Sequence, residues 1–320
     1  MIYSDCPLYK LKSKKVLNHL LGIENNKLTK QTYVSSLISP YIDTSSKPRL
    51  IEPPRKELKT VQKKIKNLLG TIVVPDNVFS GVKGRSYADN AFMHTDIKPR
   101  NLFKIDLTAF FPSINRDTVY RFFLEDLLRS PDVAQILTNL TTIDLKRSKA
   151  SDISSIYAFL DSKKISCYNH LISGAPTSQL LSYLVNHHMF DEIQRVADSN
   201  QVTMTIYVDD VTFSSKHNIS NNFKNKILAI IKKYNYQISK RKVKSYTRLY
   251  PKLVTGVIID SSGKPVIKNS MRYKIIMEYS HLLDNPDDTA SRQRLRGLLI
   301  AARQINKYAF PTIFNFTFTK

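Results

Sequence analysis

The sequence predicts an α+β fold, with a split β-α-β unit at its centre and helices added before and after it. Three observations carry that prediction. Met204–Phe213 consists of two short runs rich in β-branched and aromatic residues with Asp209 and Asp210 between them, which reads as a β-hairpin with an acidic pair at its turn. In Phe103–Thr108, Ile105 and Leu107 alternate with Lys104, Asp106 and Thr108, so a strand here buries the first pair and presents Asp106 on the opposite face. Around these strands apolar residues recur at helical spacing. Leu181, Val185, Met189, Ile193 and Val196 form the stripe of one helix beginning near Pro176, and Phe223, Ile227, Ile230 and Ile231 line another capped by Ser220.

The remaining elements follow in order. Residues 1–45 read as helical, with Val16, Leu17, Leu20 and Leu21 on one face and a possible new start at Leu28-Thr29-Lys30. Lys47–Arg55 is extended and punctuated by proline. A helix then carries Leu58, Val61, Ile65, Leu68 and Leu69 and stops at Gly70. Ser80–Arg85 is a flexible basic loop leading to a helix over Asn90–His94, and a helix around Val119, Phe122, Phe123 and Leu127 follows the Asp106 strand. The polar stretch Asp144–Asp152 reads as part of an insertion near 140–165. Tyr273, Ile276, Met277, Leu282, Leu283, Leu295, Leu298, Leu299 and Ile300 place helices in 265–320.

Charge points to a partner. The 320-residue chain carries a net charge of +23, which predicts a polyanion. Between Asp210 and Asp260 there is no Asp or Glu, yet Lys216, Lys224, Lys226, Lys232, Lys233, Lys240, Arg241, Lys242, Lys244, Arg248 and Lys252 fall there, interleaved with Tyr234, Tyr236, Tyr246 and Tyr250. Cations for phosphates and aromatics for sugars and bases suit nucleic acid. The two cysteines, Cys6 and Cys167, exclude a disulfide framework and a cysteine zinc site and match a reducing cytoplasm. No apolar stretch approaches a membrane span, and residues 1–15 lack the apolar centre of a signal peptide. His187 and His188, with Asp191 nearby, read as surface residues of a helix rather than a metal site.

Two like charges at a tight turn are costly unless a cation neutralises them. Hard divalent ions select carboxylate oxygen, so a pair of Mg²⁺ ions is the natural candidate, and a two-metal site needs a further carboxylate from a neighbouring strand. Asp106 supplies it.

Taken in order, Asp106 with Phe111, Gly174-Ala175-Pro176-Thr177-Ser178, Tyr207-Val208-Asp209-Asp210, Lys240-Arg241-Lys242 and a strand ending near Gly256 resemble the reverse transcriptases, from about Arg49 to about Asp260. Within them the chain looks most like the bacterial retron type, through Asn90-Ala91-Phe92-Met93-His94 and Val254-Thr255-Gly256. The resemblance implies a right-hand polymerase of fingers, split-βαβ palm and helical thumb. Residues 1–100 would hold the N-terminal helices and fingers, 101–262 the palm with part of the fingers and the insertion, and 263–320 the thumb, leaving no room for an RNase H, maturase or endonuclease domain.

It also implies site roles. Asp106, Asp209 and Asp210 would be catalytic and, with the Leu107 carbonyl, hold two Mg²⁺ ions. Arg49 would contact the incoming triphosphate, with Arg55 and Lys59 as weaker versions, and Phe111 would exclude the 2′-hydroxyl of ribonucleotides. Gly174, Ala175, Lys240, Lys242, Asn90, His94, Val254, Thr255 and Gly256 would meet template–primer or RNA. Partners implied by the resemblance are a cognate structured non-coding RNA, primed at a guanosine 2′-hydroxyl to give branched RNA–DNA, and a separate anti-phage effector protein. Ser173 and Gln179 depart from the family's usual Gln and Pro at those places, which leaves positioning of the nucleotide or template base open. The alternatives are another bacterial reverse transcriptase, of abortive-infection or diversity-generating type, and an RNA–DNA scaffold that restrains an effector.

Overall fold

The computed structural model describes residues 1–24, 26–45, 47–239 and 242–318. In chain order its strands are β1 (Tyr41–Asp43), β2 (Arg49–Ile51), β3 (Asn101–Asp106), β4 (Thr142–Asp144), β5 (Asn169–Leu171), β6 (Thr203–Tyr207), β7 (Asp210–Ser215), β8 (Lys244–Tyr246), β9 (Lys252–Val254), β10 (Val257–Ile259) and β11 (Pro265–Val266). The central sheet has the order β6-β7-β3-β8, and every neighbouring pair is antiparallel. β1 pairs with β2, β4 with β5, and β9, β10 and β11 form a meander.

Register decides what each face of the central sheet carries. Asp106 lies opposite Asp210, Ile105 opposite Val211, and Tyr207 opposite Asp210. Because side chains alternate, one face presents Phe103, Ile105, Met204, Ile206, Val211 and Phe213. The other presents Lys104, Asp106, Thr203, Thr205, Tyr207, Asp210, Thr212 and Ser214. A one-residue slip would exchange the two sets, so the hydrophobic pattern fixes where the acids point.

Helices His187–Ser199 and Asn221–Lys233 cover the apolar face. Phe213 stacks on Phe103 with ring centroids 5.7 Å apart and meets Phe223 edge-on at 5.4 Å. The second helix starts where expected, with Ser220 accepting from the Phe223 amide and Phe223, Ile227, Ile230 and Ile231 inward. Helix Tyr87–Phe92 serves the polar face and is fixed at its start by a reciprocal Ser86–Asp89 capping box.

Two hydrophobic cores result. The larger joins the N-terminal helices to the apolar face of the sheet. The smaller gathers Ala88, Ala91 and Leu102 with Val254, Val257 and Ile259 and with Ile275, Leu282, Leu295 and Leu299 from helices Asn269–Asp284 and Thr289–Ile305. A boundary at 262/263 therefore passes through this second core.

Three sequence expectations change. Among the described residues of 1–45 the helices are the short Lys14–Leu21 and Gln31–Ser36 and the 3-10 turn Asn26–Thr29, with Val16 exposed, and β1 is a strand. The single helix expected from Pro176 is two, Ser178–Leu184 and His187–Ser199, broken at Asn186, whose side chain bonds the Ser182 carbonyl and the Tyr236 hydroxyl. The region of Phe122 and Phe123 includes a π-helical turn, Phe122–Asp126. The 140–165 excursion is built from β4 and helix Ile153–Ser162, anchored by Ile156 and Leu160. No described helix is long and apolar enough to cross a membrane.

Candidate active site

The β6–β7 connection consists of Val208 and Asp209 alone. Val208 has φ +58°, a conformation β-branched residues rarely adopt. A positive φ confined to the first turn residue is the mark of the type II′ hairpin turn, whose twist matches its strands. The Leu107 amide donates to the Asp209 carbonyl at 2.9 Å, which holds the turn against the end of β3. Strain at Val208 and this cross-strand bond together bring Asp209 to the paired Asp106 and Asp210.

Electrostatics at Asp106 and Asp209 are unfavourable to charge. Burial, reinforced by the Asp106 and Asp210 carboxylates, pushes Asp209 up from 3.8 to about 6. Burial also raises Asp106, against the opposing pull of Lys242. The Lys242 ammonium meets Asp106 Oδ2, and Lys104 Nζ lies 2.8 Å from Asp210 Oδ2. The Leu107 carbonyl is not spent on its bridge to Ile238, whose bonds run from Thr108 N–H to the Gln237 carbonyl and from Ser239 N–H to the Asp106 carbonyl. Clustered oxygen donors with excess negative charge are what a hard divalent cation selects, so these residues suit Mg²⁺. A cleft of about 520 Å³ opens here, lined by Tyr87, Lys104, Tyr207, Val208, Asp209 and Asp210 together with Leu253, Thr255 and Gly256.

The other expected residues are placed as follows. Phe110 is buried against Tyr236 at 5.4 Å, while the neighbouring Phe111 stays half-buried. Arg49 is exposed on β2, paired in register with Asp43. Gly174 has φ +107°, and a Cβ there would lie 3.9 Å from the Glu52 backbone, so β2 and the Gly174 turn run close together. Buried Glu52 ties them by accepting from the Ser173 amide at 2.6 Å and meeting His170 at 2.9 Å. Ala175 is buried and offers little to a nucleic acid. Lys240 lies outside the described residues.

Five of the expected residues are buried or partnered within the fold. His94 is 2% exposed, with its ring nitrogens 2.8 Å from Ser214 Oγ and 2.7 Å from Thr205 Oγ1 on the polar face of the sheet. Burial, with Arg100 and Lys104 near, holds its imidazole down at about 3, so it stays neutral. Asn90 is 1% exposed and donates to Thr255 Oγ1 at 3.2 Å, while the Thr255 hydroxyl donates to the Tyr87 carbonyl at 2.7 Å. Val254 is fully buried. The two short motifs therefore bind each other, and only Thr255 and Gly256 of this set line the cleft. Lys242 pairs with Asp106 while its side chain stays 40% exposed, and Lys252 is buried with its ammonium on the Arg248 and Tyr250 carbonyls.

Sequence reasoning missed Lys104 and Tyr87, and it named Tyr207 in the acidic motif without giving it a place in the cleft. Lys104 could have been found, since it shares the polar face of β3 with Asp106 two positions on. Tyr87 carries no such signal, because only the fold brings its helix to the hairpin.

These features define a nucleotidyl-transferase-like acidic site on an antiparallel sheet. The family model for reverse transcriptase (RNA-dependent DNA polymerase) matches residues 30–273, and the chain belongs to that family. It is similar to the Retron Se72 reverse transcriptase of Salmonella heidelberg, 29% identical over 271 residues, which cover 80% of this chain and 64% of that protein. It is also similar to the Retron Ec73 reverse transcriptase of Escherichia coli, 25% identical over 83% of this chain and 81% of that one. The Retron Mx65 reverse transcriptase of Myxococcus xanthus is 26% identical over 81% and 58% respectively. These likenesses bear out the resemblance to bacterial retron-type reverse transcriptases, and the match spans less than two thirds of the Se72 and Mx65 proteins.

Proposed function

We propose that the protein is an RNA-directed DNA polymerase of the retron type, copying a cognate structured non-coding RNA into DNA. The observation that carries this reading is the convergence of Asp209 and Asp210, at the tip of the β6–β7 hairpin, with Asp106 at the end of the neighbouring β3, in a chain of this family. In this reading residues 1–100 are N-terminal helices and fingers, 101–262 the palm and 263–320 the thumb.

Asp106, Asp209 and Asp210, with the Leu107 carbonyl, would hold two Mg²⁺ ions. Mg²⁺ bound there supplies acidity toward the priming hydroxyl and neutralises the triphosphate charge. The chain's own residues do the rest. Lys104 and Lys242 balance the charge of Asp210 and Asp106 and would give way to the ions there. Phe111 sets a flat ring against the sugar and excludes a 2′-hydroxyl. Arg49 grips the triphosphate, and the Gly174 turn lets the template–primer approach. Exposed lysines and arginines between Asp210 and Asp260, among them Lys226, Lys232, Lys244 and Arg248, hold RNA phosphates.

The primer is a guanosine 2′-hydroxyl of the RNA itself, which gives a branched RNA–DNA product. The complex works in the cytoplasm beside a separate anti-phage effector protein. The test is expression with the flanking locus, followed by extraction of bound nucleic acid. RNase treatment is expected to leave DNA with a residual ribonucleotide at its 5′ end, whose mobility a debranching enzyme shifts. Linear DNA with an ordinary 3′–5′ primer junction would remove the retron assignment and favour another bacterial reverse transcriptase.

A further inference from the structure

A second cluster of metal-ligating side chains lies outside the acidic cleft. Asp126 closes the π-helical turn Phe122–Asp126, and His187 and His188 open helix His187–Ser199. The expectation that both histidines sit on the surface, with Asp191 as the nearest acid of interest, is corrected: His187 is buried, and the carboxylate both imidazoles face is Asp126.

The geometry is specific. His187 Nε2 and His188 Nε2 lie 3.4 and 3.7 Å from the same oxygen, Asp126 Oδ1. One ligand atom from each residue falls within 4.8 Å of the others. Nitrogen and oxygen ligands around a tetrahedral ion at about 2.0–2.1 Å stand about 3.3 Å from one another, so each histidine nitrogen is within about 0.4 Å of that spacing from Asp126 Oδ1, and the set as a whole closes on a single ion by drawing in by up to about 1.5 Å.

His187 Nδ1 is 2.9 Å from the Leu184 carbonyl oxygen. A carbonyl only accepts, so Nδ1 carries the proton, and in the neutral ring Nε2 then keeps a lone pair on the side of Asp126. Ring nitrogens of metal-bound histidines are commonly fixed in this way.

Adjacent helical residues point about 100° apart and ordinarily do not converge. Here the two rings are 3.8 Å apart between centroids and tilted by 37°. Two protonated imidazoles at that separation would repel each other. One dication between two neutral imidazoles and a carboxylate satisfies all three groups. The π turn supplies the convergence from the other side: the Leu127 amide bonds the Phe122 carbonyl five residues back, and this widened turn ends on Asp126. The His188 side chain is 72% exposed, which leaves the cluster open to solvent for ion entry and a fourth, water ligand.

We propose that Asp126, His187 and His188 form a site for a Zn²⁺-class transition metal, separate from the Mg²⁺-selective acids, that staples the π turn to the helix beneath the central sheet. Imidazole with one carboxylate selects such ions over Mg²⁺, which keeps the two sites chemically distinct.

The test is titration of the full chain with Co²⁺ in excess Mg²⁺, followed by back-titration with Zn²⁺. The expected result is one Co²⁺ per chain with the visible absorption of a four-coordinate site, displaced by one Zn²⁺. Asp126→Asn and His188→Gln should each weaken binding at least tenfold, as loss of a ligand does, while Asp209→Asn leaves it unchanged. His188 is exposed and Asp126→Asn is isosteric, so neither variant depends on tolerance of a core change, and thermal melting checks that both are folded. No Co²⁺ absorption in folded protein, absorption that survives both variants, or absorption lost in Asp209→Asn alone would each overturn the proposal. An ion pair of protonated histidine with Asp126 is the reading that a null result would leave.

Discussion

Replacing Asp209 with Asn should make the metal-free protein more stable while destroying its chemistry. In the fold, burial and the two neighbouring carboxylates raise Asp209 from 3.8 to about 6. A group raised in this way favours the folded state fully at pH below its unfolded value, and that contribution is lost as pH rises through the folded value. At about 1.36 kcal/mol per pH unit, ionising Asp209 in the folded chain costs about 3 kcal/mol by pH 8. Asn keeps the shape and removes the charge. In chelator at pH 8, chemical denaturation should therefore show Asp209→Asn more stable than wild type by up to about 3 kcal/mol. Below about pH 4 the two should coincide, because both side chains are then neutral. Added Mg²⁺ should stabilise the wild type and not the variant, and DNA synthesis by the variant should be absent. A variant less stable than wild type at pH 8, or a gap that does not change between pH 4 and 8, would refute the assignment of Asp209 to a frustrated, cation-seeking cluster.

Phe111→Ala should admit ribonucleotides measurably at some loss of rate, and unchanged sugar discrimination in primer extension would place the gate elsewhere. The logarithm of RNA affinity should fall linearly with the logarithm of salt concentration, since exposed cations such as Lys226, Lys232, Lys244 and Arg248 displace counterions from phosphate; a flat plot would remove these residues from the RNA surface. His94→Ala should cost about 2–4 kcal/mol of stability, because it leaves a cavity and strips the Ser214 and Thr205 hydroxyls of their partner. Loss of RNA affinity at unchanged melting temperature would instead mark His94 as an RNA ligand. Lys242→Met should tighten divalent-cation binding by removing a competitor from Asp106, as calorimetry in Mg²⁺ or Mn²⁺ can read; weaker binding would mean that Lys242 assists loading.

The acidic site was legible because strand alternation is local. Ile105 against Asp106, and Ile206 and Val211 around the turn, fix which face is buried, and pairing then brings the acids together. What the sequence concealed depends on contacts between distant segments. Nothing local to Lys242 says that it reaches Asp106, and nothing local to His188 says that Asp126 waits across the fold. For Asn90 and His94 the distant partners are visible only in the fold. The family resemblance assigns them to RNA, and here they meet the hydroxyls of Ser214, Thr205 and Thr255, which would otherwise be left without those partners. The break at Asn186 was hidden because the apolar stripe runs through it without interruption, Leu181 to Met189, while the chain turns.

The helix Tyr87–Phe92 has a consequence for how this chain can be recombined. Its far end, through His94, is bolted to the strands that carry Asp209 and Asp210, and its flank, through Asn90 and Tyr87, is bolted to the Thr255 loop and the C-terminal core. It is a strut shared by two modules, owned by neither. Exchanging residues 252–318 with those of a relative would leave a foreign loop facing Asn90, and the hairpin would be felt to shift from the other end of the same strut. A working chimera has to carry residues 86–94 along with the C-terminal segment, although more than 150 positions lie between Asn90 and Thr255 in the chain.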